Sequence, residues 1–144
     1  MSLINARIVL ASRPTGPVSP HNFRLESVEL SPLAEGQVRV RNDYLSLDPY
    51  MRGRMNESKS YAASQPLDEV MIGGTVGEVI ESRNAHFPVG CQVVGMGGWQ
   101  QYFTVDASQR GVLQKVDTTH VPLSAYLGPV GMPGVTAWYG HIRI

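Results

Sequence analysis

The sequence predicts a mainly β domain, a small antiparallel barrel or sandwich trimmed with short helices. Three observations point there. Apolar and polar residues alternate with period two from the start of the chain to about Val116, turn-forming residues cut the alternation into short runs, and no long amphipathic helix intervenes. At 144 residues the length fits one domain around a single core.

The elements follow in order. Residues 7–11 read as a first strand. After the turn-rich stretch 13–17, Phe23, Leu25, Val28 and Leu30 predict a second strand, bulged where the alternation slips between Leu25 and Val28. Residues 36–42 alternate cleanly, with Val38 and Val40 inward and Arg39 and Arg41 outward on a solvated face. Residues 52–65 are polar and weakly periodic, a loop or short helix. Residues 75–81 form the next strand, and Gly77 within it suits a bulge or a close backbone approach. Two more strands, 91–96 and 100–105, are joined tightly through Gly97-Gly98. Residues 122–128 predict a short helix, with Pro122 in its first turn and Gly128 as its cap. A second helix starts near Thr136.

Composition removes several functions. Twelve basic and twelve acidic residues cancel, and neither sign forms a run. A surface that tracks phosphates needs clustered Lys and Arg, so no nucleic-acid partner is expected. Cys91 is the only cysteine, and His21, His86, His120 and His141 are scattered. That excludes an internal disulfide and a thiolate cage for zinc. No apolar stretch approaches the length of a membrane helix, and Met1-Ser2-Leu3 opens no signal peptide. The expected setting is soluble and reducing, in the cytoplasm, with no membrane partner.

Three motifs then carry a resemblance. Leu45-Ser46-Leu47-Asp48-Pro49-Tyr50-Met51-Arg52-Gly53-Arg54-Met55 resembles the signature of one branch of the medium-chain reductases, that of leukotriene B4 dehydrogenase, prostaglandin reductase and plant double-bond reductase. Ile72-Gly73-Gly74-Thr75-Val76-Gly77-Glu78-Val79 resembles the central barrel strand of that branch. Leu127-Gly128-Pro129-Val130-Gly131-Met132-Pro133-Gly134-Val135-Thr136-Ala137-Trp138-Tyr139-Gly140 resembles its junction between two domains. The likeness runs in order over nearly the whole chain.

This resemblance implies a GroES-like, partly open antiparallel barrel over residues 1–128, the substrate-side catalytic domain. Residues 129–144 would be the junction and the start of a nucleotide-binding Rossmann domain, so the chain reads as truncated before that domain. The implied activity is NADPH-dependent reduction of the carbon–carbon double bond of α,β-unsaturated ketones and aldehydes. No G-x-G-x-x-G lies between a strand and a helix here. The NADPH is therefore expected to be held mainly by the C-terminal domain, and the fragment to be inactive alone. Zinc-using relatives place a Cys near Leu47-Asp48 and a His within a Gly-His-Glu triplet that reads Gly73-Gly74-Thr75 here. No zinc is expected, and carbonyl polarisation falls to hydrogen-bond donors.

The same motifs place Tyr50, Pro49, Met51 and Trp99 at the substrate. Tyr50 would contribute its hydroxyl, Pro49 a fixed φ that aims it, and Met51 and Trp99 apolar wall. Without the motif, Tyr50 reads as a packed aromatic at a strand end, Met51 as a core residue and Trp99 as a barrel-edge aromatic. Met132, Pro133 and Thr136 are placed at the nicotinamide, with Thr136 offering its hydroxyl to the carboxamide. Otherwise Thr136 is an early-helix residue, and Gly131 and Gly134 form turns. Arg52 reads as a structural ion-pair partner and Cys91 as an unactivated thiol. No catalytic residue and no metal ligand are assigned. A quinone reductase of the same superfamily and a non-enzymatic co-chaperonin-like interaction module remain as alternatives. The expected partner is a small-molecule enone or enal, and the full-length parent is expected to be a homodimer.

Overall fold

The computed structural model describes residues 3–57 and 63–143. Among them, β1 (Ile4–Leu10) and β2 (Phe23–Glu29) form a two-stranded antiparallel ribbon. A five-stranded sheet is built from β3 (Gln37–Leu45), β4 (Thr75–Ser82), β5 (Gln92–Gly95), β6 (Tyr102–Asp106) and β7 (Leu113–Lys115). Its order is β6-β3-β4-β5-β7, antiparallel throughout. The ribbon is stitched onto the sheet along β1. The Ile8 N–H donates to the Trp99 carbonyl at 2.8 Å, Gln101 N–H to Ala6 at 2.9 Å and Met71 N–H to Ile8 at 3.0 Å. The sheet curls without its edge strands β6 and β7 meeting. This is the partly open, mainly β, GroES-like barrel that the motifs imply.

Two cores result. Inward residues of the sheet, Val38, Val40, Val79, Val93, Phe103 and Leu113, form the first. Each wholly buried valine contributes about 1.5–3 kcal/mol. Leu10, Met51, Met55 and Met71 form the second, beneath the short helix α1 (Tyr50–Arg54). A helix of five residues does not persist alone. Here Met51 and Met55 are pinned in the core, and Arg13 Nη1 donates to the Met55 carbonyl at 2.9 Å. Beyond the sheet, a 3-10 turn (Leu123–Leu127) leads to α2 (Met132–Arg143).

Gly77 is a point of close approach. A Cβ there would lie 1.9 Å from the Arg41 carbonyl oxygen, and the β3–β4 register shifts between Asn42 and Tyr44. Elsewhere the structure departs from expectation for identifiable reasons. The β1–β2 register is unbroken from Ile4↔Glu29 to Leu10↔Phe23, so β2 carries no bulge. The slipped alternation is absorbed instead by leaving Leu25 in solvent, 70% exposed. Arg39 is not on a solvated face. It is 5% exposed, a register shift falls between it and Val40, and it bonds the Glu81 carboxylate at 2.5 Å and the Ser31 carbonyl. Arg52 is structural but, among the described residues, makes no ion pair: it donates to the Gly16 carbonyl at 2.7 Å and to Asn56 at 2.7 Å.

The helix within 52–65 starts earlier than expected, at Tyr50, because Pro49 already has helical dihedrals (φ −56°, ψ −31°). Residues 58–62 of that stretch lie outside the described residues. The helix expected at 122–128 is a 3-10 turn with Pro122 as its extended cap. The second helix begins at Met132, four residues before Thr136, since Pro133 is tolerated in a first turn. The three-residue β7 was not signalled at all. Only Leu113 of it faces the core.

Candidate functional site

A cleft of about 680 Å³ opens where α1, the ends of β4, β5 and β7, and the start of α2 meet. One wall is Asp48, Tyr50 and Arg54. The floor is Ser46, Gly74 and the run Val94-Gly95-Met96. Tyr126 and Leu127 of the 3-10 turn and then Met132 and Pro133 complete the lining. Ser46 is fixed by its N–H, which donates to the Gly74 carbonyl at 2.9 Å. Most of this lining is apolar, which suits a small organic ligand.

Tyr50 opens α1 immediately after Pro49. Burial pushes its phenol pKa up, Asp48 adds to the rise, and Arg54 opposes it. A phenol is neutral across the physiological range in any case, and the rise keeps this one a hydrogen-bond donor between two charged neighbours. The Arg54 guanidinium carbon stands 5.9 Å from the Tyr50 ring centroid, at the outer limit of a cation–π contact.

Gly73 and Gly74 behave differently. A Cβ on Gly73 would meet Leu45 at 2.7 Å, Met51 at 3.1 Å and Trp99 at 3.3 Å, so the first glycine is packed solid. On Gly74 a Cβ would meet only Leu127, at 3.7 Å, so the second faces open cleft. Past the 3-10 turn the chain folds onto itself through Gly131 and Gly134. A Cβ on either would fall 2.2 Å from the Tyr126 carbonyl oxygen or 1.8 Å from that of Pro129. These approaches bring Met132 and Pro133 to the cleft mouth, where Met132 is 63% exposed.

Of the residues singled out from sequence, the structure brings Tyr50, Met132 and Pro133 to this cleft. Pro49 lies exposed behind Tyr50. Met51 is buried in the second core, one layer back. Trp99 is turned elsewhere: it stacks on Phe23 (centroids 5.3 Å apart, 25° between planes) and lines a separate shallow depression with Ile8 and Val18. Thr136 lies exposed on α2, its hydroxyl donating to the Met132 carbonyl at 2.9 Å. Asp48, Arg54, Gly74, Met96 and Tyr126 were missed. Arg54 had a signal in its spacing of four from Tyr50 on a helix, and Asp48 and Gly74 had one in standing where zinc-using relatives carry metal ligands. The thiol of Cys91 is pushed up in pKa by burial, against a smaller lowering by Lys115. Among the described residues, no three His, Cys, Asp or Glu side chains cluster as metal ligands would.

Comparison with known proteins agrees with this geometry. Residues 6–116 match the family described as the N-terminal domain of oxidoreductase. The chain is 46% identical over 140 residues to the NADPH-dependent curcumin reductase of Escherichia coli, covering 97% of this chain and 40% of that one. It is 40% identical over 131 residues to prostaglandin reductase 1 of Sus scrofa, covering 90% of this chain and 37% of that one. The crystal structure of CurA from Vibrio vulnificus in complex with NADPH superposes with a TM-score of 0.87 at 44% identity, over 96% of this chain and 40% of that one. The chain thus spans about 40% of the length of these relatives. It belongs to the family of oxidoreductase N-terminal domains, in the zinc-independent branch of the medium-chain reductases.

Proposed function

We propose that this chain is the substrate-side domain of an NADPH-dependent reductase that saturates the carbon–carbon double bond of α,β-unsaturated ketones and aldehydes. The observation that carries this reading is the cleft itself. A neutral phenol and the start of α2 line the same largely apolar cleft. In this reading residues 1–128 form the barrel domain and 129–144 begin the nucleotide-binding part.

NADPH, when bound, supplies the hydride. The chain's own residues do the rest. Tyr50 donates a hydrogen bond toward the carbonyl oxygen, where charge accumulates during reduction. Pro49 sets the helical start that aims it. Met51 and Trp99 act from behind, packing against the site of Gly73 so that the floor stays rigid. Met132 and Pro133 would border the nicotinamide, and the apolar part of the lining would keep water from it. Thr136 already donates its hydroxyl hydrogen within α2, so its oxygen is left to accept from a carboxamide N–H₂. The 144-residue chain alone binds NADPH weakly and turns nothing over. The full-length protein works as a cytoplasmic homodimer. Among the described residues no helix is long and apolar enough to cross a membrane.

The test is NADPH oxidation by the full-length protein with a simple enone, beside Tyr50→Phe. Losing one hydrogen bond to a charged transition state lowers kcat/KM about 10- to 100-fold. Turnover of quinones but not enones would overturn the substrate assignment. Unchanged kinetics in Tyr50→Phe would remove Tyr50 from the site.

A further inference from the structure

We infer that Tyr126 is a positioning residue: the hydrogen bond from its hydroxyl to the Asp117 carbonyl sets where the start of α2 stands against the barrel, and so where hydride donor and substrate meet. The inference rests on the reductase reading above and extends it from the cleft lining to the joint behind it. The 3-10 turn Leu123–Leu127 has no side-chain cap and no fully buried residue. Its own bonds, from Ala125 N–H to the Pro122 carbonyl and from Gly128 N–H to the Ala125 carbonyl, run along the chain. Tyr126 reaches out of the turn. Its Oη donates to the Asp117 carbonyl at 2.5 Å, nine residues back. Among the described residues, no other hydrogen bond leads from the turn back toward the sheet.

The far end of that bond is anchored. On either side of Asp117, Val116 N–H donates to the Gln92 carbonyl at 3.0 Å and Thr118 Oγ1 to Gln92 Oε1 at 2.5 Å. Gln92 opens β5, whose other end, Val94 and Gly95, lies in the cleft. The near end carries α2. A Cβ on Gly131 would fall 2.2 Å from the Tyr126 carbonyl oxygen, so Gly131 rests on the Tyr126 backbone. Gly131 N–H and Gly134 N–H both donate to the Gly128 carbonyl, at 3.0 and 3.1 Å, and hold Met132 and Pro133 between them. A shift of the turn is therefore passed to these two residues, which share the cleft lining with Tyr126. Hydride transfer is steep in distance. The reacting atoms must stand about 3–3.5 Å apart, and a misplacement of about 1 Å costs up to about 100-fold.

The experiment compares the full-length protein with Tyr126→Phe, which keeps the ring and removes the bond. One readout is amide hydrogen exchange without NADPH; the other is single-turnover hydride transfer from saturating NADPH to a simple enone. Exchange at Gly131 and Gly134 is expected to quicken about 3- to 10-fold, the range one neutral hydrogen bond spans, while β3 and β4 exchange as in wild type. The hydride-transfer rate constant is expected to fall by a similar factor, with the reacting amplitude kept and the enone KM within about twofold. Thr118→Val, which loosens the anchor at Gln92, should move both readouts in the same sense by less, and should add nothing to Tyr126→Phe. Exchange unchanged in Tyr126→Phe, or quickened with an unchanged rate constant, overturns the inference and leaves the reductase reading intact. A loss confined to the amplitude, the mark of a merely structural role, overturns it too. A wild-type protein that reduces no enone refutes the reductase reading, and this inference falls with it.

Discussion

Replacing Gly77 with alanine tests the β3–β4 geometry on which the floor of the cleft depends. The added Cβ would stand 1.9 Å from the Arg41 carbonyl oxygen, 2.8 Å from its carbon and 3.1 Å from the Asn42 Cα. Ordinary contact needs about 3.5 Å, so the strands must separate by roughly 1.5 Å at this point. All three obstacles are backbone, so no side chain can swing aside. Overpacking of this kind costs about 1–3 kcal/mol, and a lost ladder bond adds about 1 kcal/mol. Near 3 kcal/mol is expected, a fall of about 10 °C in Tm for a domain of this size. Thermal unfolding followed by circular dichroism measures it, with Gly53→Ala as control, since nothing lies within 4 Å of a Cβ there. Should Gly77→Ala unfold within about 0.5 kcal/mol of wild type, the close approach of β3 and β4 is not as described.

Arg39→Ala should lower stability by about 1–3 kcal/mol in urea unfolding, through lost stem packing and lost hydrogen bonds, whereas Arg39→Met restores most of it. Glu26 has its pKa lowered by hydrogen bonds from Arg24 and Arg7. Its stabilisation is complete above its ordinary value of 4.5 and is lost as pH falls through the lower folded value. The Tm gap between wild type and Glu26→Gln, opened at neutral pH, should therefore narrow below pH 4.5; a gap that widens in acid reverses the sign of the linkage. A Cβ at Gly74 would meet only Leu127, at ordinary contact distance, so Gly74→Val should leave Tm nearly unchanged. By filling the cleft of the full-length protein it should cut kcat/KM for bulky enones about 10-fold more than for small ones.

What the sequence revealed divides along physical lines. Strands with clean alternation, such as β3 and β4, were legible because one face must be apolar and the pleat sets its period. Gly77 was legible as a close approach because only glycine suits one inside a strand. Arg39 was not, since a register shift and the Ser31 carbonyl turn an alternating position into a buried one. Neither was β7, whose three residues carry one apolar side chain. In the cleft, Tyr50, Met132 and Pro133 were found through motifs alone. Gly74, Met96 and Tyr126 come together from segments far apart in sequence, and no local spacing reports that meeting. Trp99 was misplaced for a related reason: its neighbour Phe23 is brought against it by ribbon pairing, which a local reading does not see.

The joint at Gly131 and Gly134 has a consequence for evolution at this end of the chain. Because α2 rests there on the bare carbonyls of Tyr126 and Pro129, the gape between Met132 and the Tyr50 wall is held by two hydrogen atoms where other residues carry a methyl. A single methyl at either position would force that backbone to shift, and Met132 with it, without changing any side chain that lines the cleft.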